Sequence, residues 1–192
     1  MKRALLGLAL AAILPMSAHA ADGSAVSYNY VEAGYINADF DGDDADGFAL
    51  QGSVGFAQNW YAAGMYRQVD DNGVTLDNTT INLGWHHALS DKADFFVDGG
   101  YARYEIDVDD FGNESFDGWN IGAGFRGMLS PTFEGWIKGQ YVDVKDMDGE
   151  FGISAGAIWH FNETWGLTGS YEHTQVFDED MDVWGVGIRA SF

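Results

Sequence analysis

The carboxyl-terminal segment alternates strictly between two kinds of side chain from Trp184 to Phe192. The apolar members share one parity and are Trp184, Val186, Ile188, Ala190 and Phe192. Glycine, arginine and serine lie between them. A two-residue period of this kind is typical of a β-strand that has an apolar environment on one side and water on the other. The rest of the chain can therefore be examined for the same pattern.

The amino terminus has the three parts of a secretory signal peptide. Lys2 and Arg3 are followed by an apolar stretch from Ala4 to Leu14, and Ala18-His19-Ala20 has the small residues of a cleavage site. The apolar stretch is shorter than the roughly 18 residues of a membrane-spanning helix. We predict a signal peptide over 1–20 and a mature domain over 21–192.

The composition of the chain favours an all-β fold. There are 26 glycines, and aromatic residues make up 15% of the sequence. No cysteine is present, which excludes disulfides and thiol chemistry. Strands that cross a membrane are only half apolar, so a transmembrane barrel gives no long apolar run in the sequence.

One pass along the chain finds ten segments with strand-like alternation. We predict strands at 27–38, 47–57, 60–69, 79–89, 94–106, 118–129, 133–144, 150–161, 164–175 and 182–192. Short gaps alternate with longer, acidic ones at 39–46, 70–78, 107–117, 145–149 and 176–181. This pattern predicts an all-β, antiparallel transmembrane β-barrel with short periplasmic turns and longer acidic extracellular loops. Eight strands are the alternative if one hairpin is irregular.

Parity within each segment separates a lipid face from a lumen face. The apolar face carries aromatic residues near both ends of the strands, as at the two interfaces of a bilayer. The alternative is a soluble β-sandwich, which alternates in the same way but has no need of two aromatic belts.

The opposite parity carries charges that would lie inside the barrel. They are Glu32, Arg67, Asp98, Arg126, Glu134, Lys138, Glu172 and Arg189. A buried, unpaired charge costs several kcal/mol, so these four acids and four bases should pair. Arg126 and Glu134 flank one short turn and are predicted to be cross-strand neighbours. The set is either a salt-bridged plug or a narrow ion path.

Most of the acidic residues fall in the longer gaps, and the net charge of the chain is −21. Such an anionic rim disfavours a nucleic-acid partner. Three interpretations of the anionic rim are open: a solvated surface, a site for divalent cations, or a surface that binds a cationic partner. The candidate calcium or magnesium ligands are Asp39, Asp41, Asp43, Asp44, Asp107 and Asp109, although their spacing does not match an EF-hand. We expect no other cofactor.

An enzyme at the outer rim would need a base and a nucleophile close together. His173 falls on the lipid parity and Ser170 on the other, and no Gly-x-Ser-x-Gly motif occurs. We therefore expect a protein that is not an enzyme. A hydrolase at the rim that uses an Asp–His pair is retained as an alternative.

Several short motifs resemble a known family. They are residues 26–35, the Asp-Gly-rich stretch 43–47, Phe161-Asn162-x-x-Trp165-Gly166-Leu167 and the closing aromatic strand. Together they resemble the small outer-membrane barrels of xanthomonads, a quorum- and virulence-associated family, and more broadly the membrane barrels of the OmpA and OmpX kind.

The resemblance implies a Gram-negative outer-membrane location, with release in vesicles, and roles in the envelope, biofilm, motility, virulence and host contact. It implies that Trp184, Val186, Ile188 and Phe192 form the signal that the barrel-assembly machinery recognises. Periplasmic chaperones, lipid and lipopolysaccharide would be the other partners of a monomer. It supplies no catalytic residue. The expected function is an envelope and surface-interaction role, with a narrow porin-like channel or small-ligand conduit as the alternative.

Overall fold

A computed structural model of the protein describes residues 26–40, 43–108, 112–145, 149–176 and 179–192. The predicted signal peptide and its cleavage site, together with Asp41 and Asp109, lie outside these residues. The strands are β1 (Tyr30–Phe40), β2 (Asp43–Phe56), β3 (Trp60–Asp71), β4 (Val74–Ala88), β5 (Ala93–Val108), β6 (Gly112–Ser130), β7 (Phe133–Val144), β8 (Glu150–His160), β9 (Trp165–Val176) and β10 (Glu179–Ser191).

The ten strands form one closed antiparallel barrel, which confirms ten strands over the alternative of eight. Each strand pairs with its neighbour in sequence, and β1 closes the ring by pairing with β10 from Tyr30↔Ser191 to Phe40↔Met181. Closure satisfies the hydrogen-bonding groups that an open sheet would leave along its two edges. In the described part of the chain, no helix is long and apolar enough to span a membrane.

Outward-facing apolar side chains form a band around the middle of the barrel. One aromatic belt lies at the end where β1 begins and β10 ends, here called the terminal end, and contains Phe56, Trp60, Phe133, Trp159, Phe161 and Trp165. A second belt contains Tyr35, Phe48, Tyr101, Trp119, Tyr141 and Trp184. Aliphatic residues such as Leu83 and Ile188, each 52% exposed, lie between the belts. The band fits the hydrocarbon layer and its two interfaces.

Beyond the second belt, the polarity of several strands reverses. On β10, Trp184 and Val186 face outward within the band, whereas the next outward residue towards the hairpin is Asp182. On the inner face, Arg189 lies within the band, whereas Val183 and Met181 lie beyond it and are 6% and 2% exposed. The barrel therefore continues past the band as a cuff with an acidic outer face and an apolar interior. We call this the acidic end.

The cuff corrects the prediction of long acidic loops. The connections at this end are only residues 41–42, 72–73, 109–111, 145–149 and 177–178. Asp39, Asp44 and Asp107, which we predicted to be loop residues, lie within β1, β2 and β5. Two apolar clusters fill the cuff and explain why these segments stay extended. They are Ile36, Ala38, Ala45, Val69, Met181 and Val183, and Ala102, Tyr104, Val142 and Val144.

Turn chemistry supports at least one of these tight connections. Asn72 and Gly73 have positive φ angles of 46° and 86° between β3 and β4. An Asn-Gly pair with both residues in this region is the preferred two-residue turn of a β-hairpin. The hairpin therefore closes directly at Asp71 and Val74, and the predicted loop at 70–78 is strand on both sides of the turn.

Candidate functional site in the lumen and at the acidic rim

The structure places all eight of the charged residues predicted for the lumen on the inner wall, where they form four ion pairs. The pairs are Arg67–Glu172 at 3.1 Å, Lys138–Asp98 at 2.8 Å, Arg189–Glu32 at 2.7 Å and Arg126–Glu134. Strands far apart in sequence carry the members of two of these pairs, Arg67–Glu172 and Arg189–Glu32, which closure of the barrel brings together.

The Arg126–Glu134 pair lies near the terminal end. Glu134 is directly opposite Met128, and Arg126 reaches it diagonally across the short turn at 131–132. The Glu134 carboxylate is 1% exposed and also contacts His160 Nε2 at 3.0 Å. Two partners offset the loss of solvation that a buried carboxylate would otherwise suffer.

Asp98 connects four strands in the middle of the lumen. Its carboxylate accepts hydrogen bonds from Lys138 at 2.8 Å, from the Tyr61 hydroxyl at 3.1 Å and from Asn82 at 3.4 Å. Asn120 in turn donates to Asn82 Oδ1 at 2.9 Å. A network of this kind fixes the positions of β3, β4, β5 and β7 relative to one another.

The sequence reasoning missed a second buried acid near the terminal end. Asp94 is 0% exposed, and its carboxylate lies 3.2 Å from Nδ1 of His86, which is 3% exposed. Parity is the signal that could have found this pair, because His86 and Asp94 share the inward parity of Asn82 and Asp98 on the same two strands.

Between these groups lies a polar chamber of about 250 Å³. Its uncharged polar lining includes Gln51, Asn82, Asn120, Gln140, Ser154 and Ser170. Glycines on the inner wall provide part of the space. A Cβ on Gly84 would overlap the Tyr61 ring, and one on Gly156 would overlap the Trp136 indole. Apolar side chains of the cuff, including Ile36, Val142 and Val183, border the chamber towards the acidic end.

The outer face of the cuff carries a rim of carboxylates, which we call the acidic rim. It comprises Asp39, Asp44, Asp46, Asp70, Asp77, Glu105, Asp107, Asp117, Asp143, Asp180 and Asp182. Among the described residues, Arg103, Lys145 and His173 are the basic side chains on the same surface. Arg103 pairs with Glu105 at 2.9 Å, so most of the rim keeps its negative charge.

Outward-facing tyrosines at the depth of the second belt donate hydrogen bonds to several rim carboxylates. The same diagonal contact occurs in four hairpins, as Tyr35–Asp46, Tyr66–Asp77, Tyr101–Asp117 and Tyr171–Asp182. Hydrogen bonds from His173 and Tyr171 lower the pKa of Asp182, and those from Tyr35 and Asn37 lower the pKa of Asp46. Donors that favour the charged form keep these two carboxylates ionised.

Like charges face each other across the strands of the rim. Asp39 is in register with Asp44 on one side and with Asp182 on the other, and Asp46 is in register with Asp70. Opposed like charges on neighbouring strands are destabilising. A cation that approached this surface would reduce the repulsion.

The predicted cation ligands do not meet in one chelating cluster in the part of the chain that the structure describes, since no group of three or more suitable side chains occurs there. Asp39 and Asp44 face each other on β1 and β2, whereas Asp107 is on β5. Asp41 and Asp109 are outside the described residues, as is the side chain of Asp43. The calcium or magnesium site remains a prediction.

The residues considered for a rim hydrolase lie on different faces of the wall. Ser170 lines the chamber, whereas His173 is outside, with Nδ1 2.7 Å from Oδ1 of Asp182. The Asp–His pair thus exists on the outer surface of β9 and β10, but Ser170 is separated from it by the wall of the barrel.

The residues of the predicted assembly signal form one outward stripe on β10. Trp184, Val186 and Ile188 are 60%, 52% and 52% exposed. The backbone N–H of Phe192, directly after the strand, donates to the carbonyl oxygen of Asn29 at 3.1 Å. The stripe lies beside the seam where β10 meets β1.

The solved structures to which the chain is similar are distant in sequence. The translocator domain of the autotransporter NalP from Neisseria meningitidis is 11% identical, with a TM-score of 0.47 over 100% of this chain and 96% of that chain. Ail of Yersinia pestis is 15% identical, with a TM-score of 0.44 over 85% and 97%. The amino-terminal barrel of Pseudomonas aeruginosa OprF is 16% identical, with a TM-score of 0.41 over 85% and 98%. No curated protein matches the chain.

A family model assigns the chain to a protein family, which the similarity to these structures does not. The model of the outer membrane protein β-barrel domain matches residues 7–192, which is nearly the whole chain. The match agrees with the closed barrel, its apolar band and its paired lumen charges. The chain belongs to the outer membrane protein β-barrel domain family, and its location is the outer membrane.

Proposed function

We propose that the protein serves the bacterial envelope through its acidic rim and not through transport or catalysis. The reversal of polarity along the strands is the observation that carries this proposal, because it turns the carboxylates outward around the cuff. The interior of the cuff is apolar and packed, which does not suit a charged pore entrance. The acidic end would face the cell exterior, as the more extended side of such barrels does.

The chemistry of the rim favours cationic partners. Opposed carboxylates such as Asp39 and Asp182 repel each other until a cation approaches. Divalent ions are one such partner, since they bind carboxylate oxygens readily. Lipopolysaccharide is itself anionic, so calcium or magnesium ions would bridge it to the rim. The carboxylates lie next to the second aromatic belt, at the depth where headgroups meet the barrel.

The proposal can be tested with charge-neutralised variants in lipopolysaccharide-containing nanodiscs. We expect millimolar calcium to raise the thermal midpoint of the native barrel. Asp39→Asn/Asp182→Asn removes two opposed rim charges, and its midpoint should rise less with calcium. The matched control, Asp91→Asn/Glu163→Gln, removes two exposed charges at the terminal end and should respond like the native protein.

The two double variants separate a rim effect from a general effect of charge. Equal responses of both variants to calcium would contradict the rim as the interacting surface. The thermal midpoint of the native barrel could fail to respond to calcium in lipopolysaccharide but respond to a cationic peptide. That result would support the rim as the interacting surface and identify a cationic protein segment, instead of a divalent ion, as its partner.

A narrow conduit is the second candidate, and the polar chamber of about 250 Å³ favours it. The lumen carries ion pairs at three positions near this chamber, namely Lys138–Asp98, Arg189–Glu32 and Arg67–Glu172. Rearrangement of these pairs would be needed before ions could pass.

The finer biological assignment rests on the sequence motifs. We propose that the protein is a member of the xanthomonad group of small barrels, with a signal peptide over 1–20, a mature domain over 21–192 and roles in biofilm and virulence. The support is the resemblance of residues 26–35 and of the closing strand. Secretion can be checked by amino-terminal sequencing of the protein purified from outer membranes, where Ala21 should be the first residue.

A further inference from the structure

The residues that directly precede β1 lie inside the barrel. Val26 and Tyr28 precede β1, yet they are only 4% and 7% exposed. Their side chains pack with those of Tyr61 and Phe96 on the inner wall at the terminal end. Segments that lead into a first strand are commonly exposed and poorly ordered. The burial of this one indicates a specific docking site.

The docking site is a pocket of aromatic and basic side chains. The Tyr28 ring stacks on His86, with ring centroids 4.1 Å apart and an interplanar angle of 16°. It also contacts the Tyr61 ring at 4.8 Å between centroids. The Arg126 guanidinium lies 5.2 Å from the centroid of Tyr28, within the range of a cation–π contact. The pocket therefore holds the ring on several sides.

Asn29 makes hydrogen bonds to two chain segments that border the pocket. Its side-chain Oδ1 accepts a hydrogen bond from the Gly55 N–H at 2.8 Å. Its carbonyl oxygen accepts one from the Phe192 N–H at 3.1 Å. These bonds join the segment to the end of β2 and to the end of the chain, and they position Tyr28 over the lumen.

The segment lies between the terminal end and the polar chamber. Tyr28, Tyr61 and Phe96 are all part of the lining of the chamber. At the opposite end, the packed side chains of the cuff, such as Ala38 at 1% and Ala102 at 0% exposed, leave little room for water. Access of solutes to the chamber therefore depends on the terminal end.

We infer that Val26–Asn29 is a stopper that occupies the terminal-end pocket and closes the polar chamber to small polar solutes. The stopper is held by ring contacts and a few hydrogen bonds, whereas each wall strand is held by two full ladders. Local opening takes the least free energy where such contacts are few. The stopper can thus leave the pocket while the barrel stays folded.

Cysteine accessibility can test the stopper, because the chain has no cysteine of its own. Ser154→Cys places a single thiol in the chamber lining at a position that is 8% exposed. In nanodiscs, we would measure its rate of modification by a small cationic methanethiosulfonate. We expect slow modification with the native stopper and a rate at least tenfold faster after Tyr28→Ala.

Two further variants identify the cause. Tyr28→Phe keeps the ring that fills the pocket and should stay slow. Asn29→Ala removes the bond to Gly55 without removing the ring, and it should give an intermediate rate. Ser90→Cys, in an exposed turn at the terminal end, should react equally fast in every background.

The modification rates at Ser154→Cys either support the stopper or overturn it. Similar rates at Ser154→Cys with and without Tyr28→Ala, whether both fast or both slow, would overturn the stopper. Resistance of the folded barrel to unfolding in dodecyl sulfate at room temperature shows that each variant is intact. If Tyr28→Ala does not fold, the comparison between Asn29→Ala and the native stopper carries the test.

Discussion

At the scale of single residues, pairing makes the charged lumen compatible with a folded barrel. Arg67, Arg126 and Arg189 are 8%, 8% and 4% exposed, and each contacts a carboxylate. Arg126 additionally lies 5.2 Å from the ring centroid of Tyr28 and 5.5 Å from that of Tyr30. Removal of one member of a buried pair leaves the other without compensation, which costs more than the pair itself is worth.

The Arg126–Glu134 pair allows this to be measured. We expect Arg126→Ala to lower the free energy of unfolding by about 3–5 kcal/mol, because Glu134 remains buried. The double variant Arg126→Ala/Glu134→Ala should lose less than the sum of the two single variants, with a coupling energy of about 1–3 kcal/mol. Urea unfolding in lipid vesicles gives these values. Additive losses would show that the two groups do not interact.

At the scale of a strand, the reversal of polarity is the main structural device. On β7, Ile137 faces outward within the apolar band, and Asp143 faces outward beyond it. On the inner face, Lys138 lies within the band, and Val142 and Val144 follow it towards the acidic end. The strand thus has lipid outside and polar groups inside, and then water outside and an apolar core inside. Each part of the strand buries its apolar face.

A charge placed inside the cuff should loosen it. Val142→Asp would put a carboxylate beside Ala102, Tyr104 and Val144, where an unpaired charge costs several kcal/mol. We expect faster amide hydrogen exchange in residues 100–108 and 140–145, while exchange in the apolar band stays unchanged.

A matched charge on the surface provides the control for this change. Asn72→Asp adds the same charge at an exposed turn position of the same end, where an Asp-Gly pair keeps the preferred turn, and it should change stability by less than about 0.5 kcal/mol. Equal rates of amide hydrogen exchange in the two variants would show that the apolar interior of the cuff does not keep these strands extended.

At the scale of the whole molecule, the barrel is closed at both ends of its chamber. Packed apolar side chains fill the cuff, and Tyr28 with Phe96 occupies the terminal end. Between them, the lumen charges neutralise one another. A lumen in this state agrees with the proposed role of the acidic rim.

Single-channel recording of the refolded protein in a planar bilayer tests this view. We expect no discrete openings, with or without millimolar calcium, because the ion pairs and both closures would have to give way together. Insertion is verified separately by protection of the apolar band from protease. Stable openings of uniform conductance would contradict the closed lumen and favour the conduit.

The sequence by itself determined the class of fold and the face on which a strand side chain lies, and it predicted ten strands with eight as the alternative. A period of two leaves only two faces, so Trp184 and Arg189 could be assigned to lipid and lumen without coordinates. The same rule placed the eight lumen charges on the inner wall. The prediction of loops at the acidic stretches is wrong, because the apolar residues between the acids, such as Ala45 and Met181, form an inner face that too few residues on each side make evident.

Only the tertiary structure decided which charges pair and what closes the lumen. Glu32 and Arg189 lie at opposite ends of the chain and meet because β1 closes on β10. The alternation predicts Ser27 to Asn29 as the start of the first strand, whereas β1 begins at Tyr30 and the segment Val26–Asn29 is buried in a pocket formed by β3, β4, β5 and β6, which only the folded barrel assembles. Parity is a local property that the sequence contains, whereas pairing across the ring depends on closure of all ten strands.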